Sequence, residues 1–309
     1  MEKKKITAKI ILLFMIGFCV LTSVICIPFY TIRYNNGYMY NDVRYKTRSI
    51  QKESQNSLDM LFLGDSEGWA AFSPLQIFHE YGITSYNCST PGQWTGDSAK
   101  ILSRALKHQS PSVVVLETSA IFSSPNPIKY ALSQVLPIFH YHNYYKNTST
   151  KYGDQKTKGA NLNKTTVPYT GRKDYMNNDI DAMELDTNSL NGLNKVLQLC
   201  SERNIHLVLV TAPSALTWTT AKHLAVEEWA QDNDIPYIDY NEQKEFNQLS
   251  FDWATDTRDG GDHVNLNGSK KICTDFGKRV SERYSLTDHR NDSEYTEWEE
   301  RYKSLGLYQ

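Results

Sequence analysis

Leu58-Asp59-Met60-Leu61-Phe62-Leu63-Gly64-Asp65-Ser66-Glu67-Gly68 is a short apolar run closed by a glycine-flanked turn. The run has strand length and is too brief for a helix, so it predicts a buried β-strand. A hydroxyl in a tight turn between strand and helix points outward, and its own N–H sits at a helix start, where negative charge is favoured. Ser66 is therefore a candidate nucleophile. The plainer alternative is that it only caps a helix.

The same alternation continues along the chain. Residues 83–88 form a second strand candidate, and residues 92–108 carry Ile101, Leu102, Ala105 and Leu106 at helical spacing. Ser112-Val113-Val114-Val115-Leu116 reads as a buried strand, and Leu190, Leu193, Val196, Leu197 and Leu199 mark another helix. Then follow a strand at 205–210, a helix at 221–232, a short strand at 236–239 and a last helix at 268–283. Strands alternating with helices predict βαβ units and an α/β fold: a flavodoxin-like three-layer α/β/α domain around a central parallel sheet, over residues 57–286. Residues 122–186 interrupt the pattern with Pro125, Pro127, Pro137 and Pro168, many Tyr and Asn, and one helical stretch around 129–138. They read as an insertion over the strand ends. Residues 287–309 form a polar, aromatic tail with Tyr295, Trp298 and Tyr302.

A length of 309 residues allows two domains, and the near-balanced charge of −2 gives no electrostatic case for nucleic acid as partner. The mean hydropathy of −0.53 conceals a very apolar N-terminal segment. Residues 10–32 carry no charge, which makes 23 positions where a hydrocarbon core needs about 20. Lys3, Lys4, Lys5 and Lys9 precede the segment, and Arg33 is the first charge after it. This asymmetry places the N-terminus in the cytoplasm and the rest outside, anchored in the cell membrane by one transmembrane helix. A cleaved signal peptide is the competing reading, but the apolar stretch exceeds an h-region of about 7–15 residues and Pro28-Phe29-Tyr30 is a poor cleavage site. Ile25 beside Cys26 argues against a lipoprotein signal. Residues 1–32 thus read as a cytoplasmic N-terminus and signal anchor, and 33–56 as a juxtamembrane linker.

Cys88, Cys200 and Cys273 lack disulfide or metal spacing and read as small buried apolar residues. His140-Tyr141-His142 has no cysteine or carboxylate framework around it, so no metal site is expected there. No cofactor is implied.

A second chemical element is Asp259-Gly260-Gly261-Asp262-His263-Val264-Asn265, which opens the last helix. A serine nucleophile at neutral pH needs a base, and a histidine oriented by a carboxylate is the usual one. In an open parallel sheet, both elements would lie outside the strands' carboxyl ends. In an α/β-hydrolase the nucleophile comes deep in the domain, and Asp and His come from separate strand ends. Here Ser66 ends the first strand, and acid and base share one late loop.

That combination resembles the SGNH (GDSL-type) hydrolase family over roughly residues 57–285. Gly64-Asp65-Ser66 is similar to its first block, Tyr86-Asn87-Cys88-Ser89-Thr90-Pro91-Gly92-Gln93 to its second, and the Asp/His-Asn loop to its last. The resemblance implies Ser66 as nucleophile, His263 as base, Asp259 or Asp262 as its carboxylate, and Gly92 as a backbone oxyanion donor. Three departures stand out. Ser89 occupies the usual second-block glycine, leaving Gly92 as the match. Leu116-Glu117-Thr118-Ser119 replaces a third block that normally supplies an Asn oxyanion donor. Thr118, Ser119 or Gln93 is the expected substitute. Gly260 stands three residues before His263, where the family has Asp, so Asp259 is preferred to the adjacent Asp262.

The single N-terminal anchor is similar to exported SGNH-like proteins of Gram-positive bacteria, as are Thr211-Ala212-Pro213-Ser214, Trp218 and Asp239. These include the teichoic acid D-alanyl transfer protein and polysaccharide O-acetylation partners. The resemblance implies an extracellular serine esterase or O-acyltransferase acting on acylated cell-envelope glycopolymers, with a membrane-bound acyltransferase as partner. The alternative is a non-catalytic envelope-assembly or glycan-binding protein that retains the fold.

Overall fold

The computed structural model describes residues 2–34, 43–126, 154–177 and 181–306, with isolated positions between 128 and 136. The chain divides into two units. One comprises residues 1–40 and 125–151, the other 41–124 and 152–309. In the first, α1 (Glu2–Tyr34) contains a segment, Ile6–Phe29, long and apolar enough to cross a membrane. The expected helix around 129–138 and the His140/His142 pair lie largely or wholly outside the described residues.

The second unit is built on five strands: β1 (Met60–Leu63), β2 (Ser85–Asn87), β3 (Val113–Glu117), β4 (His206–Thr211) and β5 (Tyr237–Asp239). All neighbours are parallel, in the order β2-β1-β3-β4-β5. This is the flavodoxin-like order, with its reversal point between β1 and β3. In register, Leu61 lies beside Val114 and Val114 beside Leu207.

The strands are apolar on both faces because helices cover both. Side chains alternate across a strand, so Leu61, Leu63, Val114, Leu116, Leu207 and Leu209 face one layer. Met60, Phe62, Val113, Val115, Val208 and Val210 face the other. The first layer is α5 (Thr95–Ala105), α6 (Thr187–Ser201) and α7 (Thr220–Asp232), following α2 (Val43–Ile50), α3 (Ser66–Ala71) and α4 (Pro74–Tyr81) in the chain. After β5 come α8 (Gln243–Leu249), α9 (Leu266–Tyr284) and α10 (Thr296–Ser304). α9 supplies Ile272, Cys273, Phe276 and Val280 to the second layer. Phe62 is fully buried there, stacked on Phe72 at 4.6 Å and tilted against Phe276 at 6.0 Å. Phe62→Ala should cost about 3–5 kcal/mol by leaving a cavity, read as a lower denaturation midpoint of the α/β unit.

The structure corrects the linker boundary. Residues 43–50 form α2, with Ile50 and Lys46 fully buried. The Lys46 ammonium donates to the carbonyls of Asn87 (3.1 Å) and Gly159 (2.5 Å). An eight-residue helix that buries a lysine carries too few apolar residues to show a period, so it reads as polar linker. The tail is also part of the unit: Trp298 of α10 is buried against Phe78, with ring centroids 5.2 Å apart. The insertion is divided as well. Residues 154–177 belong to the α/β unit, whereas 125–151 group with the first. Cys88, Cys200 and Cys273 are buried free thiols.

Candidate active site

Ser66 begins α3 directly beyond β1, with Asp65 as N-cap. The turn is tight because β3 crosses behind it. Gly64 has φ 152°, and a Cβ there would lie 2.6 Å from the Glu117 Cβ. A Cβ on Gly68 would lie 2.8 Å from the same atom. Only glycines let the Ser66 turn approach β3 this closely.

One Asp65 oxygen, Oδ1, accepts from the Ser66 N–H at 2.6 Å and from the Gly92 N–H at 2.5 Å. The other accepts from the Ser123 hydroxyl. The Ser66 amide and the Gly92 amide expected as oxyanion donor therefore converge on one carboxylate oxygen, that of Asp65.

The remaining expected donors face elsewhere. Gln93 is buried, its amide nitrogen donating to Ser98 Oγ (2.9 Å) and its oxygen accepting from Thr90 (3.0 Å). Thr118 is fully buried and shares a 2.5 Å hydrogen bond with Thr211. Both side chains brace loops at the strand ends, which corrects their expected role as oxyanion donors. Ser119 contributes its backbone N–H to Glu117 Oε1 at 3.2 Å.

His263 sits on a turn closed by the Thr257–Val264 bridge. Gly260 and Gly261 adopt φ of 84° and 107°, a region that favours glycine. Asp259 grips His263 twice: Oδ1 accepts its backbone N–H at 2.8 Å, and Oδ2 lies 2.6 Å from Nδ1. Asp262 Oδ2 is further from Nδ1, at 3.4 Å. Two carboxylates around Nδ1 favour the tautomer that carries a proton on that nitrogen. Nε2 is buried and has no hydrogen-bond partner among the described residues. The loop after β4 clasps this turn, with the Ala215 N–H donating to the Gly261 carbonyl at 2.8 Å.

Glu67 joins the two halves. Its Oε2 accepts from Ser66 Oγ at 3.2 Å, and its Oε1 from Thr217 at 3.3 Å. Ligand atoms of Glu67, Asp262 and His263 all lie within 4.8 Å of one another. Ser214 completes a ring of contacts, 2.6 Å from the Thr217 hydroxyl and 3.5 Å from Asp262 Oδ1. Ser66, Glu67, Asp262, His263 and Asp259 thus form one cluster at the carboxyl edge of the sheet.

Sequence reasoning singled out neither Glu67 nor Glu117. Signals were present: a glutamate follows the serine in the turn, and another ends an otherwise apolar strand. Burial, and next the neighbouring Asp65, push the Glu67 carboxyl up. Burial, reinforced by Glu67, pushes Glu117 well above its ordinary value of 4.5. Glu117 is fully buried, and its Oε2 has no hydrogen-bond partner among the described residues.

The folded protein therefore binds the Glu117 proton more tightly than the unfolded chain, so the contribution of this group to stability is fully present below 4.5 and is lost as pH rises through the raised folded value. Glu117→Gln keeps the acceptor for Ser119 and removes that loss. It should raise the melting temperature at pH 8 and leave it nearly unchanged at pH 4, as read by thermal denaturation at both.

No protein-family model matches the chain, and no curated protein matches it. Solved structures do. A GDSL-like lipase from Bacteroides thetaiotaomicron aligns at 12% identity over 79% of this chain and 98% of its own, with a TM-score of 0.42. The lipase/acylhydrolase from Enterococcus faecalis aligns at 14% identity over 75% of this chain and 98% of its own, with a TM-score of 0.40. The solved structures that the chain resembles include GDSL-like lipases.

Proposed function

We propose that the protein is a membrane-anchored serine esterase or O-acyltransferase of the SGNH (GDSL) type, acting on acyl groups of cell-envelope glycopolymers. One observation carries the reading: an imidazole whose Nδ1 is held at 2.6 Å by Asp259 while its buried Nε2 has no partner among the described residues, clustered with Glu67, which accepts from Ser66 Oγ. That is a base prepared to take one proton.

In the reaction, Ser66 Oγ turns from Glu67 to His263 and gives its proton to Nε2 as the Oγ–C bond to the acyl carbonyl forms. The carbonyl oxygen becomes an oxyanion and takes the place of Asp65 Oδ1 on the Ser66 and Gly92 amides. Asp65 must leave these amides for turnover, and Ser123 already holds its other oxygen. As the C–O bond to the leaving alcohol breaks, that alcohol takes the proton from Nε2, leaving an acyl-Ser66 ester. Water then repeats the sequence to release a carboxylic acid, or a sugar hydroxyl repeats it to form a new ester. Asp259 stabilises the imidazolium at each stage.

The anchor, Ile6–Phe29, would keep the catalytic unit at the outer face of the cell membrane, with the N-terminal lysines in the cytoplasm. There a membrane-bound acyltransferase partner would hand acyl groups to Ser66. The full chain in detergent should hydrolyse p-nitrophenyl acetate well above the buffer rate. A rate at buffer level with the fold intact would remove the esterase reading.

A second reading has its own support. With Asp65 on the amide pair and Ser66 Oγ on Glu67, the resting cluster is internally satisfied. A non-catalytic envelope-assembly or glycan-binding protein would keep it so, and Ser66→Ala and His263→Ala would leave its cellular role unchanged.

A further inference from the structure

A cavity of about 650 Å³ is lined by Tyr169, whose ring abuts Gly261 of the His263 turn, and we propose that it is a saccharide-binding subsite. The proposal rests on reading the substrate as an acylated glycan, and it names where another ring of that glycan would be held.

The lining decides the chemistry. Tyr169 and Phe246, both half-buried, line the cavity with the more deeply buried Tyr175 and Trp253. Their rings form one cluster about Trp253, with Tyr169 at 5.3 Å, Tyr175 at 5.7 Å and Phe246 at 5.7 Å between centroids. Glu242 and Lys173, both exposed, stand in the same lining and supply a hydrogen-bond acceptor and a donor. A sugar ring offers apolar C–H faces to aromatic surfaces and hydroxyls to such groups, so it satisfies both halves of the lining. A fatty acyl chain satisfies only the rings and leaves the charged groups facing hydrocarbon.

Two connections tie the cavity to the cluster around His263. Tyr169 forms the back of the histidine turn: a Cβ on Gly261 would lie 2.6 Å from its ring, and the Gly260 N–H donates to the Val167 carbonyl at 3.1 Å. On another side, Asn241 Oδ1 accepts from Tyr175 OH and from the Ser214 N–H, each at 2.9 Å, and Ser214 Oγ lies 3.5 Å from Asp262. A ligand in the cavity therefore lies against residues that directly support the His263 turn. Such an arrangement suits a polymer that spans both places better than a lone acylated sugar.

The test is binding of tetrasaccharides of N-acetylglucosamine, glucose, galactose and mannose to the full chain in detergent, by calorimetry and tryptophan fluorescence. At least one should bind, and Tyr169→Ala and Phe246→Ala should each weaken it by about tenfold, equivalent to about 1.4 kcal/mol. Glu242→Gln, which leaves the rings in place, should weaken it by a smaller but measurable factor. Ser66→Ala should bind as well as the parent, so loss of the esterase reading and loss of the subsite are separable. The proposal is overturned if no tetrasaccharide binds at millimolar concentration, if binding ignores all three cavity substitutions, or if octanoate binds there in place of the sugars.

Discussion

Ser66→Ala is expected to reduce ester hydrolysis by the full chain to near background, a loss of about 10⁴–10⁶ in kcat if the serine is the attacking group. Neighbouring hydroxyls on the far side of the turn are already engaged. Ser214 and Thr217 are hydrogen-bonded to each other, and Ser123 is bound to Asp65. The substitution removes one oxygen whose hydrogen bond is to Glu67, at a partly exposed position, so the melting temperature should change little. Steady-state rates with p-nitrophenyl acetate, beside a thermal melt, separate lost chemistry from lost fold. A variant that keeps a tenth or more of the parent rate would exclude Ser66 as nucleophile.

The second large effect concerns the two aspartates of the histidine turn. Asp259→Asn should lower kcat by about 10²–10⁴, because an amide no longer fixes the Nδ1–H tautomer or stabilises the imidazolium. Asp262→Asn should cost less than about tenfold, since its oxygen stands 3.4 Å from Nδ1 against 2.6 Å for Asp259. Asp259 Oδ1 also receives the His263 backbone N–H, so the same carboxylate sets both the turn and the ring. Equal losses in the two variants would mean that the pair acts jointly. A larger loss in Asp262→Asn would reverse the assignment.

The sheet was legible in the sequence because its signals are local. Val113, Val114 and Val115 form a strand whichever helix covers each face, and the turn at Gly64 ends β1 in the expected place. The close approach of Glu117 to Gly64 and Gly68 was not legible. It depends on register between strands fifty residues apart, which no local pattern contains. Gln93 and Thr118 misled for a related reason: a polar side chain at a strand end can face a ligand or brace a loop, and both of these brace loops. α2 escaped notice because its burial rests on a lysine bonded to carbonyls 41 and 113 residues away in sequence. Asp65 was read as part of a motif, and its occupation of the amide pair emerges only when β2 and its loop bring Gly92 beside it.

The central claim is that Ser66 is a nucleophile activated by His263. Its most direct measurement is covalent labelling of the full chain by a fluorophosphonate, with the modified residue located by peptide mass spectrometry. The account predicts a single phosphonyl adduct on Ser66, lost in Ser66→Ala and strongly slowed in His263→Ala. A folded protein that stays unlabelled, or one labelled at another residue, would contradict it.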